Sequence, residues 1–536
     1  MAIPFDQLTK IASLSKNRQL ETYSALFDMN AWWDMHKNLT IENWYFYNGL
    51  QAGFMKRLSG ENTQDYLTRI KNSTIENQIR PIVELIASHL YPEQDKVKRS
   101  VTRKEEVDKT LQDWFRETVW NHGDTDYLDD TKSLNALVTG YSIIQRFLYD
   151  FRTMKPFVRG TQPLTMVKNG IIIKKLLDSC CTVPLPYIDE NGVVENDKLG
   201  AILSIYDTDN FVGSMTLMSL LNKNYQKQTV IEYIDSDIWV KWVKNQNENA
   251  YQQVTVNAGT DYENRNPFRD ISVLFTVYRN TGDPFSVEGD SEVGQLKSLN
   301  TELNELGTGD KDTITYHQDP LLVGSGGADL PDDFVKSKNS FVAFDRKDAK
   351  LQYITWDGNL EASAKRQETL RRVMSNVTGV SLISRGFLSE IGQIRSGPPL
   401  KALFTSERSI MSRKFKAFGK GERADMKADI LFWEKSTSSD LKVDKSISFN
   451  IEYQHDFLGL DKLLNEEIKS LQLQAGSESR EDIIAAEHPD WTEAEVATTV
   501  KEIDKALQSK TNAGKIKQTV KSTDKSQLTQ DNNTQG

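Results

Sequence analysis

Glu292–Leu306 reads EVGQLKSLNTELNEL, and Leu360–Val377 reads LEASAKRQETLRRVMSNV. In the first segment Leu296, Leu299, Leu303 and Leu306 fall at steps of three and four, the spacing of one helical face. In the second, Leu360, Ala364, Leu370, Met374 and Val377 share a side. Each runs up against a glycine, Gly307 and Gly379, the residue that most readily ends a helix. Both carry one thin apolar stripe and are otherwise charged or polar. Such a stripe buries little inside its own chain, which predicts side-by-side packing with copies of itself. Between the two, Thr313–Tyr316, Pro320–Val323, Ser340–Phe344 and Leu351–Thr355 read as short strands, with the glycine-rich turn Gly324–Gly327 among them.

Upstream, the pattern is first helical. Trp32, Trp33, Trp44, Tyr45, Phe46, Tyr47, Leu50 and Phe54 are too dense an aromatic cluster for a solvated tail. Ile79–Leu90 (IRPIVELIASHL) has a broad apolar face, with Pro81 near its start, where a helix tolerates proline. Further helices are predicted through Leu111–Trp120 and across Leu134–Asp150. From about residue 160 the chain turns to β-rich pieces, Gly200–Tyr206, Gln228–Tyr233, Ile238–Val243 and Ile271–Tyr278, separated by Asn/Asp/Gly punctuation. Downstream of Gly379, Ser381–Pro399 reads as a loop with three further glycines. A long helix with mixed apolar and basic residues follows from Leu400, then the strand-like Ser446–Tyr453 and two amphipathic helices, Leu460–Leu473 and Glu493–Leu507. From about Ser509 almost no large apolar residue remains, and disorder is expected.

Composition bounds the function. The 536 residues hold 66 Lys+Arg against 76 Asp+Glu, a net charge of −10, which argues against a broad basic face that coats nucleic acid. No stretch approaches the roughly 18 apolar residues of a membrane helix; the best, Ile171–Ile173 with Leu176 and Leu177, is broken by Lys174 and Lys175. The start, MAIPFDQLTKIASLSKNR, lacks the basic and apolar regions of a secretion signal. Cys180 and Cys181 are adjacent, so no disulfide framework is expected, and synthesis in a reducing cytoplasm is.

Catalytic motifs do not assemble. Gly419-Lys420-Gly421 lacks the spacing and the Ser/Thr of a phosphate-cradling loop and reads as a turn or helix break. Gly324-Ser325-Gly326-Gly327 matches no dinucleotide fingerprint. His36, His89, His122, His317, His455 and His488 show no metal-ligand spacing. Asp124, Asp126, Asp129 and Asp130 imitate a calcium loop, but Leu128 and Asp129 occupy a ligand and the glycine position, so a solvated acidic turn is expected. No enzyme, metal or cofactor is expected.

The order helix, β insert, helix, glycine-spaced loop, long helix resembles that of tailed-bacteriophage portal proteins. The resemblance rests on Ile79–Tyr91, Asp290–Leu306 (Leu296, Leu299, Asn300, Asn304), Pro320–Val323, Asp348–Trp356, Thr378-Gly379-Val380, Ser396–Lys401 (SGPPLK) and Leu460–Gly476 with Ser479-Arg480-Glu481. It covers about residues 20–508 and departs at Pro398-Pro399, in about 185–265 and in the lysine-dotted tail.

The resemblance implies a mainly helical α+β portal fold with wing, stem, clip and crown, closed into a cyclic ring of about twelve copies around a channel. It divides the chain into an arm and wing (1–288), first stem helix (289–307), clip (308–356), second stem helix (357–378), tunnel loop (379–399), long helix and wing strands (400–455), crown helices (456–508) and tail (509–536). The long wing helix would be Leu400–Arg423. Such a ring is a virion component at one capsid vertex. It passes double-stranded DNA, docks the large terminase during packaging and then a head–tail adaptor or tail proteins, and contacts major capsid protein and scaffold, without membrane insertion. Another head-to-tail adaptor or minor head protein is the alternative.

About twelve copies would carry roughly −120, so DNA should slide rather than be gripped. Arg385, Gln393 and Arg395 would come nearest the phosphates or, with Glu390, make salt bridges between subunits. Arg366, Arg371 and Arg372 would line the bore or meet solvent and neighbours. Lys336, Lys338 and Arg346 would contact the packaging motor or simply decorate a charged hairpin.

Overall fold

The computed structural model describes residues 19, 22–23, 29–92, 97–104, 106–121, 125–150, 155–157, 170–211, 225–245, 251–256, 262–281, 286–318, 321–325, 350–354, 360–381, 384–385, 405–436, 446–453 and 500–501. Residues 1–454 form one compact unit and 455–536 a second. Of the second only Val500 and Lys501 are described, both helical, so the expected crown helices and tail lie outside the described residues.

The first unit is α+β. It opens with helices α1 (Met29–Tyr47), α2 (Thr63–Lys71) and α3 (Ile79–Leu90). In α3, Ile79, Ile82, Val83, Ile86 and Leu90 are buried, the face expected from their spacing. Strands β1 (Lys98–Arg103) and β2 (Glu106–Val107) precede α4 (Lys109–Phe115), a π turn at Arg116–Trp120, and α5 (Thr125–Thr139). The described part of the acidic run, residues 125–130, is therefore helical rather than a turn. Asp126, Asp129 and Asp130 belong to α5, and Asp129 is buried.

The helix expected over Leu134–Asp150 is corrected. α5 ends at Thr139, and Tyr141–Asp150 is strand β3. Gly140 makes the break, with φ of +101°, a conformation side chains resist. The sequence pattern misleads here because β3 is buried on both faces. Tyr141, Ser142, Ile143, Ile144, Arg146 and Leu148 are all inaccessible, so the strand has no alternation to read.

β3 runs antiparallel to β5 (Gly170–Leu177), β4 (Lys155–Phe157) and β11 (Phe275–Arg279). A second antiparallel sheet has the order β10-β9-β8-β7-β6, formed by Thr182–Ile188 (β6), Val194–Phe211 (β7), Tyr225–Asp235 (β8), Trp239–Asn245 (β9) and Gln252–Val254 (β10). The strand expected at Ile271–Tyr278 begins instead as a helical turn, α6 (Ile271–Leu274). There the Asp270 carboxylate accepts from Ser272 N at 2.9 Å and closes the turn before β11.

The insert region follows. α7 (Glu292–Gln318) does not stop at Gly307, and it covers the Thr313–Tyr316 strand expected there. One glycine costs a helix only about 1 kcal/mol. Past it, Thr308 accepts from Thr74 N at 3.1 Å and Asp310 accepts from Ser363 and Gln367 at 2.9 and 2.7 Å, which hold the added turns in place. β12 (Leu321–Ser325) pairs antiparallel with β13 (Lys350–Ile354), Leu321 opposite Ile354. Gly324 lies in β12 rather than in a turn; Ser340–Phe344 lies outside the described residues.

α8 (Leu360–Thr378) ends at Gly379 as expected, with φ of +66°. A Cβ there would be strained at this φ and would displace the tip of Ile410, which lies 1.8 Å from its position. α9 (Thr405–Ser436) runs past the expected end at Arg423, and Gly419-Lys420-Gly421 lies inside it without breaking it, Gly421 against Tyr278 and Gly419 near Tyr453. β14 (Ile447–Glu452) pairs with β1.

Two apolar clusters result. One gathers β3, β11, α4 and α9 around Phe115, Ile143, Phe275, Ile430 and Phe432. The other packs Trp33 of α1 against Val183, Leu203, Tyr233 and Trp242 of the five-stranded sheet.

Candidate functional site

The region that the sequence reading singles out is built on α7, α8 and the start of α9. The leucine stripe is not left for a second copy. Leu296, Leu303, Leu370 and Met374 are buried inside the single chain, and Leu299 and Leu306 are half-buried. For the α7 stripe the expectation that it cannot be covered within one chain is therefore corrected, because α1, α3, α5 and α8 pack on this helix, whereas Ala364 and Val377 of the α8 stripe stay exposed.

Beside the stripe runs a polar row spaced by four. Asn300 Oδ1 accepts from Gln78 N at 3.0 Å, Asn304 Oδ1 from Glu76 N at 2.8 Å, and Thr308 Oγ1 from Thr74 N at 3.1 Å. Four helical residues rise about 6 Å, and two extended residues span about 6.6 Å. The match lets one helix face satisfy alternate backbone amides of residues 74–78, much as a neighbouring strand would. Gln51 Oε1 closes the row by accepting from Asn304 Nδ2 at 2.6 Å and from Asn300 Nδ2.

α8 lies antiparallel to α7. Arg366 pairs with Glu302 at 2.7 Å, while Asp310 takes Ser363 and Gln367. Arg371 holds Glu76 through two bonds of 2.7 and 2.6 Å, and that contact leads in lowering the Glu76 carboxyl pKa. Arg372 meets Glu368 at 3.0 Å on the exposed side.

After Gly379 the chain is clipped twice. Glu407, near the start of α9, accepts from Ser381 N at 3.1 Å and Ser384 Oγ at 2.8 Å, and its other oxygen meets His89 Nε2 of α3 at 3.0 Å. Burial opposes the Glu407 charge, but these bonds together hold its carboxyl below the usual range. Arg385 donates to Ser375 Oγ at 2.8 Å, to the Arg371 carbonyl at 3.3 Å and to Gln78 Oε1. Burial, and then the neighbouring Arg371 charge, lower its pKa to about 10.

The same buried face of α9 continues through Lys414, Glu422, Asp425 and Asp429. Lys414 Nζ meets Glu292, the first residue of α7, and Asn280 Oδ1 at 2.9 Å. Glu422 collects Tyr91, Arg99 and Lys132 at 2.7, 2.9 and 2.5 Å. Asp429 takes Arg146 Nε at 2.6 Å and Lys174 Nζ at 2.7 Å, and Asp425 meets both cations too. This face ties α3, β1, α5, β3, β5 and α7 to one rod.

Of the expected residues, Arg385 sits among α3 and α8 groups of its own chain. Arg366 and Arg371 pair across to Glu302 and Glu76. Glu390, Gln393, Arg395, Lys336, Lys338 and Arg346 lie outside the described residues. Glu76, Gln78, Glu407, His89 and Lys414 were not foreseen. Asn300 and Asn304 counted in the sequence only toward the resemblance, and the four-residue polar repeat they make with Thr308 beside the leucine stripe was the signal for this pairing.

What the arrangement supplies is positioning. Among the described residues no group of three or more His, Cys, Asp or Glu is placed to hold a metal ion, and no helix is long and apolar enough to cross a membrane.

No family model matches the chain, and no curated protein matches it. Among solved structures, the fold is similar to a chain in the virion of the native gene transfer agent particle, with a TM-score of 0.37 and 10% identity over 80% of this chain and 93% of that one. It is also similar to a chain in the neck of the empty particle computed with C6 symmetry (TM-score 0.39, 10% identity, 80% and 93% covered). A third likeness is to a chain in the neck of the native particle computed with C12 symmetry (TM-score 0.36, 10% identity, 75% and 84% covered). Likenesses of this strength leave function to be argued from the chain's own residues.

Proposed function

We propose that this chain is a structural subunit of a virion head and neck, and specifically a portal-type protein. Copies of it would form a ring that passes double-stranded DNA, docks the terminase at one capsid vertex during packaging, and meets the tail connector afterwards. The observation that carries this reading is the order, among the described residues, of α7, the paired strands β12 and β13, α8, the clipped segment and α9. In it two antiparallel helices present a paired-charge exterior, and a β extension grows from their joined end. A bond-making site is not part of the proposal. ATP hydrolysis would belong to the docked motor.

Because the leucine stripe is used up inside the chain, contacts between copies would be polar, through the faces that carry Arg366, Glu368 and Arg372. The −10 charge per chain suits a channel along which DNA slides. The test is mass measurement and electron microscopy of the purified full chain. Annular particles of about twelve copies with a central opening are expected. A monomer, or a closed particle without an opening, overturns the proposal.

A further inference from the structure

Between β11 and α7 the chain is anchored at both ends. Asn280 N donates to the Gly140 carbonyl at 2.8 Å, and Asp290 N donates to Thr281 O at 3.2 Å. Near its end, Glu288 lines a cavity of about 150 Å³ together with Trp32, Pro184, Pro186, Asn196 and Ser286. That volume is about five times the share of one water in the liquid, room for a guanidinium or ammonium head with a short stem. Among the described residues the Glu288 carboxylate has no hydrogen bond and no ion pair. The nearest basic side chain along the linker, Arg279, donates to the Ser286 carbonyl instead.

Titratable groups near this corner include Tyr23, which donates its hydroxyl to the Pro186 carbonyl, and the pair His36 of α1 and Tyr141 of β3. His36 and Tyr141 bond to each other at 2.9 Å, and Trp32 stacks on His36 with ring centroids 5.7 Å apart. Burial lowers the His36 pKa to about 4, so it brings no charge at neutral pH. β6 and β7 contribute prolines, Leu185 and an asparagine, none of them ionisable. Burial alone lifts the Glu288 carboxyl to about 7.

Glu288 is half-buried, and a carboxylate that gives up part of its hydration with no partner among the described residues carries a cost that an entering cation would relieve. An indole in the wall adds a second attraction for the same species. We propose that this cavity is a binding site for one organic cation, a guanidinium or alkylammonium group, which pairs with Glu288 and lies against Trp32. Asn196 and Ser286 supply oxygen acceptors for its remaining N–H groups. The shared chemistry can come from a free amine or from an Arg or Lys side chain of another copy of this chain. The inference does not depend on the proposed function.

The probe is methylguanidinium, titrated calorimetrically into the full-length chain at constant ionic strength, with uncharged methylurea as control. Saturable binding is expected at pH 8. With a carboxyl titrating at about 7, the ionised fraction falls about thirty-fold by pH 5.5, and affinity should fall with it. Glu288→Gln, which keeps the shape and removes the buried charge, should fold and lose binding at least tenfold, and Trp32→Leu should weaken it less. If assembled protein binds the probe as well as monomer does, the site serves a free amine. If only monomer binds it, a side chain of a neighbouring copy fills the cavity in the assembly. No saturable binding to either form at pH 8, equal binding by Glu288→Gln, or equal binding of methylurea overturns the proposal.

Discussion

Arg146 lies fully buried between Asp425 and Asp429 of α9, whereas Arg366 of α8 meets Glu302 of α7 with its side chain 52% exposed. The bonds are alike in length and the residues alike in type. Their consequences differ because water competes for one pair and is absent from the other. Around α9, four charges from three elements neutralise one another, and removing any one strands a charge in a low-dielectric interior. Along α7 and α8, a lost partner is replaced by solvent. The buried network therefore fixes how sheets and helices meet, while the exposed pairs leave their faces adjustable for contact with other molecules.

Arg146→Met should break this comparison open. It leaves Asp425 and Asp429 facing Lys174 alone, and a loss of about 3–5 kcal/mol is expected in chemical denaturation. A loss below about 1 kcal/mol would mean that water reaches the site.

pH offers the next test. Lys174, Arg146 and the α5 and β1 cations pull Asp425 and Glu422 below their ordinary values against burial. Their contribution is complete above pH 4.5 and is lost as pH falls below it. Burial raises Asp235 to about 6 and Glu288 to about 7, so the folded chain holds those protons more tightly. Their contribution is present at low pH and is lost as pH rises through 6 and 7. His36, which burial lowers to about 4, adds stability that is lost as pH falls below about 6.5, so stability should be greatest between about pH 5 and 6 and fall on either side. Glu288→Gln should be more stable than the parent in chemical denaturation at pH 8, by roughly 2–3 kcal/mol, and equal to it near pH 4.5.

Asn304→Ala removes the acceptor of the Glu76 amide and a donor to Gln51, with an expected loss of about 1–3 kcal/mol. Faster hydrogen exchange at Glu76 would localise it. Arg366→Ala should cost under about 1 kcal/mol in the isolated chain. If the α7–α8 exterior is where copies meet, the same change should lower assembly more than it lowers the melting temperature.

Helices α3 and α8 were legible because each has one buried face and a clear boundary, a proline near the start of one and Gly379 at the end of the other. The hairpin strands flanking the insert were legible from their β-branched and aromatic residues. β3 was not, because burial on both faces erases the period that separates strand from helix. The length of α7 was not, because Thr308 and Asp310 find their partners more than 50 residues away in sequence. The polar face of α9 hid for a related reason. Read alone, Glu407, Lys414, Glu422, Asp425 and Asp429 are charged residues on a helix and imply solvent.

Sequence alone set the acidic balance and the helix–strand–helix–long helix order from Glu292 to Ser436, because these depend on neighbours along the chain. Tertiary structure alone decided which charges are buried, which leucines are spent inside the chain, and that Arg385 is clipped to Gln78 and Ser375. Each of those outcomes depends on a partner brought close by folding, and the cost of burying a charge is set by whether that partner arrives.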